Sequence, residues 1–581
     1  MITRTHAGRT PHGQYRKRTL HLSLEHLEPR LPFASDVILE WNAEMLRANA
    51  HDHALVSPEQ AGPILTARTF AIVSGAMYDA YNAIERIGTA YLLPVPPIRR
   101  AASDAAVAQA AHDVLSALYP SQASFFDTAL QKTLDRVPDG PKEDRGRVWG
   151  AMVADIFLAV RAHDGADDVM HPGYEWNHKM GFHTADPLHP EQGYYASGAM
   201  HVTPFVVPSL DKFEASPLDD GTPEGRAKFL KSREYTAAYR EVLALGGDGV
   251  ISQTVRTPEQ TEIGIFWGYD GRPGLGTPPR LYNQIARTVA EQEHNSEAEN
   301  ARLFALLNLA MADAGLTSWN NTYDDAFWRP IMGIRYGDED GNPRTDGIED
   351  WTPLGAPASN PRPGESNFTP PFPAYTSGHA TFGAAAFQIL ARFYGRDDIA
   401  FTFTSDEFNG ITHDASGAVR PLKPRSFSSF SEAKFENAQS RIYLGIHWAF
   451  DRDDGIRTGD QVANYVFNKA LKPHGGHSVL PLARLITALF GLLDVGSASI
   501  GAVEPSASTS HSGARRPSTA TNLSSSSVIS PERSQLSGAE HARGDADEAA
   551  TWVRSGASPA ARNSSDDEAY WNQLWAAWDE H

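Results

Sequence analysis

Pro373-Ala374-Tyr375-Thr376-Ser377-Gly378-His379-Ala380-Thr381-Phe382-Gly383 leads straight into the apolar run 384–393. A Ser-Gly pair opening a helix offers an anion its backbone N–H groups, a hydroxyl and the positive end of the helix dipole. Ser377, Gly378 and His379 therefore read as an oxyanion cradle with a proton carrier beside it. The same tripeptide also satisfies the rules for an ordinary N-cap, so it needs partners elsewhere in the chain.

Two further segments supply them. Trp328-Arg329-Pro330 follows Trp319-Asn320-Asn321-Thr322-Tyr323 and places a guanidinium at a helix boundary. Ser440-Arg441-Ile442-Tyr443-Leu444-Gly445-Ile446-His447-Trp448-Ala449-Phe450-Asp451 carries an Arg, a His six residues later and an Asp four beyond that. Read as one helix, this stretch puts His447 and Asp451 on a common face, where the carboxylate orients the imidazole. Arginine suits such a pocket better than lysine, because its planar fork matches two oxygens of an oxyanion.

Taken in order, Trp-Arg-Pro, Ser-Gly-His and Ser-Arg with its distal His and Asp resemble the signature of the vanadium-dependent haloperoxidases. Their relatives, the type 2 phosphatidic acid phosphatases and bacterial class A acid phosphatases, share the same three motifs. Flanking segments bring the resemblance closer to the haloperoxidase branch: residues 260–267, Pro278-Pro279-Arg280-Leu281-Tyr282-Asn283, residues 301–319 and Phe372-Pro373-Ala374-Tyr375. It spans about residues 36–475. The resemblance implies an all-α, chloroperoxidase-like fold of two packed helical bundles with long loops and the active site between helices. It implies a vanadate cofactor bonded through His447 and held by Arg329, Arg441, Ser377 and the N–H of Gly378. His379 becomes the acid-base group, and Trp319 with Phe372 falls at positions lining a halide pocket. Hydrogen peroxide, halide and a small organic compound are the implied partners, with vanadium(V) acting as a Lewis acid that polarises peroxide for halide attack. The same residues suit phosphate-ester hydrolysis, with His447 as nucleophile and His379 protonating the leaving group.

One position departs from the family pattern. A Lys is expected seven residues before the Arg of Arg-Pro, and Thr322 stands there. A hydroxyl supplies no charge, so either activity falls, Arg335 substitutes as the cation, or the chain binds oxyanions without turnover.

The rest of the chain constrains the setting. At 581 residues with 41% hydrophobic content, it can bury a large core, and a formal charge of −20 disfavours nucleic acid as a partner. Cysteine is absent, which removes disulfides, thiolate nucleophiles and zinc–thiolate sites. Helical periodicity runs from about residue 36 to 480, the expected catalytic domain: Phe70, Val73, Met77, Tyr81 and Ile84 share one face, and Thr257-Pro258-Glu259-Gln260 is a capping-box start. Loops at 165–217, 268–279 and 337–373 are long enough to predict the walls of a substrate cleft. Residues 1–35 form a basic segment that resembles an export motif, implying a secreted or cell-envelope protein. An amphipathic helix is expected at 481–500 and a low-complexity tail at 501–581. No stretch is apolar enough to span a membrane, and association into homo-oligomers is expected of bundle proteins of this kind.

Overall fold

Alternating apolar faces and Ala-rich runs build fourteen α-helices among the described residues. The computed structural model describes residues 36–170, 174, 175 and 177–473, so the expected leader, the 481–500 helix and the tail lie outside the described residues. Five helices come first: α1 (Val37–Asp52), α2 (Gly62–Glu85), α3 (Ser103–Leu118), α4 (Ala123–Leu134) and α5 (Pro141–Arg161). Two shorter ones, α6 (Pro223–Leu230) and α7 (Arg233–Leu245), follow the first long loop. The second half holds α8 (Pro258–Phe266), α9 (Pro278–Gln292), α10 (Glu297–Asp325), α11 (Pro330–Arg335), α12 (Gly378–Tyr394), α13 (Phe430–Tyr443) and α14 (Ala449–Lys469). A small antiparallel pair, β1 (Phe401–Phe403) with β2 (Arg425–Phe427), aligns Thr402 with Ser426.

Local signals explain the boundaries. The Thr257 capping box is present with Pro258 in the first turn of α8, as its sequence predicts. Ser296 and Glu299 cap α10 in the same way, and the helix then runs 29 residues, or about 44 Å at 1.5 Å per residue. It is longer than the 301–313 stripe suggests because it is buried on every side. It packs on α2 in the first bundle and on α12 and α14 in the second, so one rod serves both.

Around this rod lie two principal apolar clusters. The larger joins α1–α5 to α9, α10, α12 and α14. The second gathers Tyr235, Phe327, Trp328, Tyr375, Trp448 and Phe450 around the Arg329-Pro330 turn. Where α14 crosses α12, glycine permits the approach: a Cβ at Gly459 would lie 2.3 Å from the Thr381 carbonyl oxygen, and one at Gly455 3.0 Å from that of Ser377. That close crossing brings the start of α14 to the start of α12, where the candidate residues sit.

Among the described residues, no helix is long and apolar enough to cross a membrane. No cluster of three or more His, Cys, Asp or Glu side chains arranged to hold a metal ion is found there either.

Candidate active site

The end of α13, the loop after it and the starts of α11, α12 and α14 converge on one buried cluster. Arg329 caps α11 and is fully buried. Its Nε donates to the Phe372 carbonyl at 2.7 Å and its Nη1 to the Ile446 carbonyl at 2.8 Å. Nη1 also lies 2.9 Å from His447 Nε2. Arg441, in the last turn of α13 and equally buried, donates from Nη2 to Asp270 Oδ1 at 2.7 Å.

Three N–H-bearing atoms remain without a partner: Arg329 Nη2, Arg441 Nε and Arg441 Nη1. A buried donor left unsatisfied costs about 1–3 kcal/mol. Two guanidiniums held in that condition beside a histidine constitute a site for a negatively charged oxygen-rich ligand.

His447 does not lie on a helix with Arg441, contrary to the single-helix reading. α13 ends at Tyr443, Gly445 adopts a left-handed φ of 72°, and α14 begins only at Ala449. The expected contact with Asp451 nevertheless forms. Asp451 sits in the first turn of α14 and accepts from His447 Nδ1 at 3.0 Å and from the Trp448 N–H at 2.9 Å. Its own carbonyl accepts the Ser377 N–H at 3.1 Å, linking this turn to the cradle. With Nδ1 committed as donor, Nε2 presents a lone pair. Burial, then Arg329 and Arg441, lower the His447 pKa well below its ordinary value, so the ring is neutral.

Ser377 is the N-cap of α12, as read from the sequence. Gly378 lies under Trp319: a Cβ there would approach the indole to 2.9 Å. His379 is buried, and its Nε2–H donates to the Gly268 carbonyl at 2.7 Å. Burial, followed by the charge of Arg441, pushes its pKa down to about 4.

These groups floor a cavity of about 430 Å³. Gly378, His379, Arg441, His447, Trp319 and Phe372 line it, while Arg329 and Ser377 stand behind that surface. The Trp319 and Phe372 rings meet at a centroid distance of 4.8 Å, and Arg329 stacks over Phe372 at 4.5 Å. All three predicted loops contribute walls, through Tyr195, through Tyr269 with Asp270 and Arg272, and through Glu365 with Phe368.

Thr322 is buried and spends its hydroxyl on its own helix, donating to the Ser318 carbonyl at 2.8 Å. It contributes nothing to the anion site. Arg335 does not replace the missing cation: its Nε donates to the Trp351 carbonyl at 2.9 Å, and it is not among the cavity-lining residues.

Sequence reasoning missed Asp270. Its Oδ1 holds Arg441 and lies 3.9 Å from His379 Nε2, so a single carboxylate addresses two members of the cluster. The available signal was an acid between glycines, Gly268-Tyr269-Asp270-Gly271, in a loop already expected to wall the cleft.

The chain is similar to proteins of known fold and activity. Residues 302–476 match the family model described as the second helical-bundle domain of VCPO. The vanadium chloroperoxidase of Curvularia inaequalis is 35% identical over 498 residues, covering 72% of this chain and 79% of that protein. The crystal structure of the first bacterial vanadium-dependent iodoperoxidase superposes with a TM-score of 0.61 at 22% identity, covering 77% of this chain and all of the other. A holo-type bacterial vanadium-dependent chloroperoxidase gives 0.54 at 15% identity, covering 73% and 96%.

Proposed function

We propose that this chain, which belongs to the vanadium-dependent haloperoxidase family, oxidises halide with hydrogen peroxide to hypohalous acid at the cluster around His447. Its cofactor is vanadate. The observation that carries the reading is the pair of buried guanidiniums with three partnerless nitrogens facing a neutral imidazole. That donor set suits an oxyanion: its oxygens would satisfy the three partnerless nitrogens, and His447 Nε2 would offer the metal a lone pair. When bound, vanadate supplies a Lewis acid that makes a peroxide oxygen electrophilic toward halide.

Each residue then has a task. Arg329 and Arg441 offset the oxyanion charge, and Asp451 fixes the His447 tautomer whose Nε2 lone pair accepts from Arg329 Nη1 here and would turn to the cofactor. Ser377 and the Gly378 N–H complete the cradle at the positive end of α12. Trp319 and Phe372 keep the floor apolar, which excludes water from a halide waiting to react. His379, its ring held by the Gly268 carbonyl, holds or passes the proton, and Asp270 anchors Arg441 beside it. Small organic compounds reach the hypohalous acid through the loop-walled cleft, and the basic leader directs the chain to the cell envelope or beyond it.

A halide-oxidation assay on purified protein, with iodide, bromide and chloride before and after orthovanadate, tests the assignment. Vanadate-dependent turnover is expected. Silence with all three halides, alongside hydrolysis of a chromogenic phosphate ester that vanadate inhibits, moves the assignment to a phosphatase.

The proton role of His379 has its own signature. Its depressed pKa keeps the ring neutral above about pH 4 in the vanadate-free protein. A negative charge held beside it favours the imidazolium and moves the pKa upward. NMR titration should therefore place the His379 midpoint near 4 without vanadate and shift it to higher pH with vanadate bound. A midpoint that does not move places His379 too far from the oxyanion to exchange a proton with it.

A further inference from the structure

The haloperoxidase reading, on which this inference rests, leaves one cation of the cavity without a task. Arg272 lines the cleft from the 268–279 loop, at its mouth rather than its floor, with 16% of its side chain exposed. Its guanidinium stacks on Phe368 at 4.1 Å. Nη1 lies 3.4 Å from Glu365 Oε2, a loose contact for an ion pair, and Nε is buried with no partner. The backbone beneath it is firmly held: its carbonyl accepts the N–H groups of Leu275 at 3.0 Å and Gly276 at 3.1 Å. The neighbouring cation, Arg362, donates from Nη2 to the carbonyls of Ala54 and Leu55 at 3.2 and 2.9 Å; its Nη1 lies 3.9 Å from Glu365 Oε1, and its backbone N–H donates to Glu365 Oε2 at 2.9 Å.

An anionic substrate approaching a protein of formal charge −20 meets a repulsive field. That field is screened only beyond about 8 Å at physiological ionic strength, so a local cation at the mouth decides whether a halide enters. Guanidinium is weakly hydrated and exchanges water for a large, soft anion more readily than ammonium does. Thr322 removes a cation from the base of the pocket, which increases the reliance on whatever charge the mouth supplies.

We propose that Arg272 is a halide-binding residue at the mouth of the cleft, with Glu365 as the counter-charge that keeps its grip weak enough to release bromide or iodide toward the floor. The pairing gives opposite effects for the two side chains. Arg272→Gln raises the KM for bromide about three- to tenfold with kcat within about twofold, as a local steering charge does. Glu365→Gln lowers that KM, because it frees the cation, and Arg272→Lys falls between Arg272→Gln and the unmodified enzyme. Vanadate affinity stays unchanged in all three, since neither side chain belongs to the oxyanion cradle.

Steady-state kinetics, paired with bromide NMR line broadening on vanadate-free protein, test this. Broadening that weakens in Arg272→Gln and strengthens in Glu365→Gln, together with the KM changes, supports the proposal. Unchanged broadening and KM in both variants overturn it and leave Arg272 as a stitch between two loops. A loss confined to kcat or melting temperature in Arg272→Gln overturns it as well. Broadening that follows the variants in a protein with no halide turnover supports the anion site while removing the haloperoxidase assignment.

Discussion

His447→Ala loses vanadate binding and halide oxidation together, by roughly 10³-fold or more, equivalent to about 4 kcal/mol at 1.4 kcal/mol per factor of ten. The size follows from what the side chain does alone. His447 Nε2 is the lone pair poised at Arg329, fixed there because Nδ1 donates to Asp451. Alanine removes the proposed metal ligand, and Asp451 loses the imidazole N–H while keeping the Trp448 N–H. Fold integrity should survive, since His447 lies in the connection between α13 and α14 rather than in either helix. Vanadate titration calorimetry, with circular dichroism to confirm folding, separates the two effects. Binding retained within tenfold in a folded variant means that the metal ligand lies elsewhere, with His379 the next imidazole to replace.

Thr322→Lys strengthens vanadate binding about ten- to hundredfold, the range of 1.5–3 kcal/mol set by a charge-assisted contact. Thr322 Oγ1 comes within 3.5 Å of the Thr376 carbonyl, immediately before Ser377, so a longer side chain at this position extends along the cradle. Extra atoms in a buried position cost about 1–3 kcal/mol of stability. A Thr322→Met variant carries that cost without the charge. Tighter vanadate binding and faster halide oxidation in Lys but not Met identify a missing cation as the limit on this enzyme. Equal behaviour of the two shows that the site is electrostatically complete with two arginines.

Residues whose role is stated by their neighbours in the chain were legible. Ser377 caps α12 and the Thr257 box opens α8, each because capping chemistry is local, whereas Arg329, an Arg before a Pro of the kind that usually ends a helix, stands at the start of α11. Asp451 was legible for a partly wrong reason: its spacing from His447 suits a helix, but the contact runs from a loop into a first helical turn. Gly445 held the clue, as its left-handed backbone ends the helix that the spacing implied. Asp270 and Arg272 stand in a loop legible as a cleft wall, but their roles were not, because those come from contacts with residues 171 and 93 positions away. No local pattern encodes such a contact. Thr322 stands out as a departure, but the direction of its hydroxyl, into its own helix, is set by the packing around it and has no local signal.

The uninterrupted rod of α10 limits how this molecule can move. A helix of 29 residues that serves both bundles leaves no flexible joint between them. The cleft therefore does not breathe by one half swinging against the other, as clamshell enzymes do. On that footing access and release are expected to fall to the three wall loops, with little change of spacing among the arginines, histidines and Asp451. Catalyst and doorway are mechanically separate, so loop segments can be exchanged to admit bulkier or differently charged molecules without retuning the reaction centre.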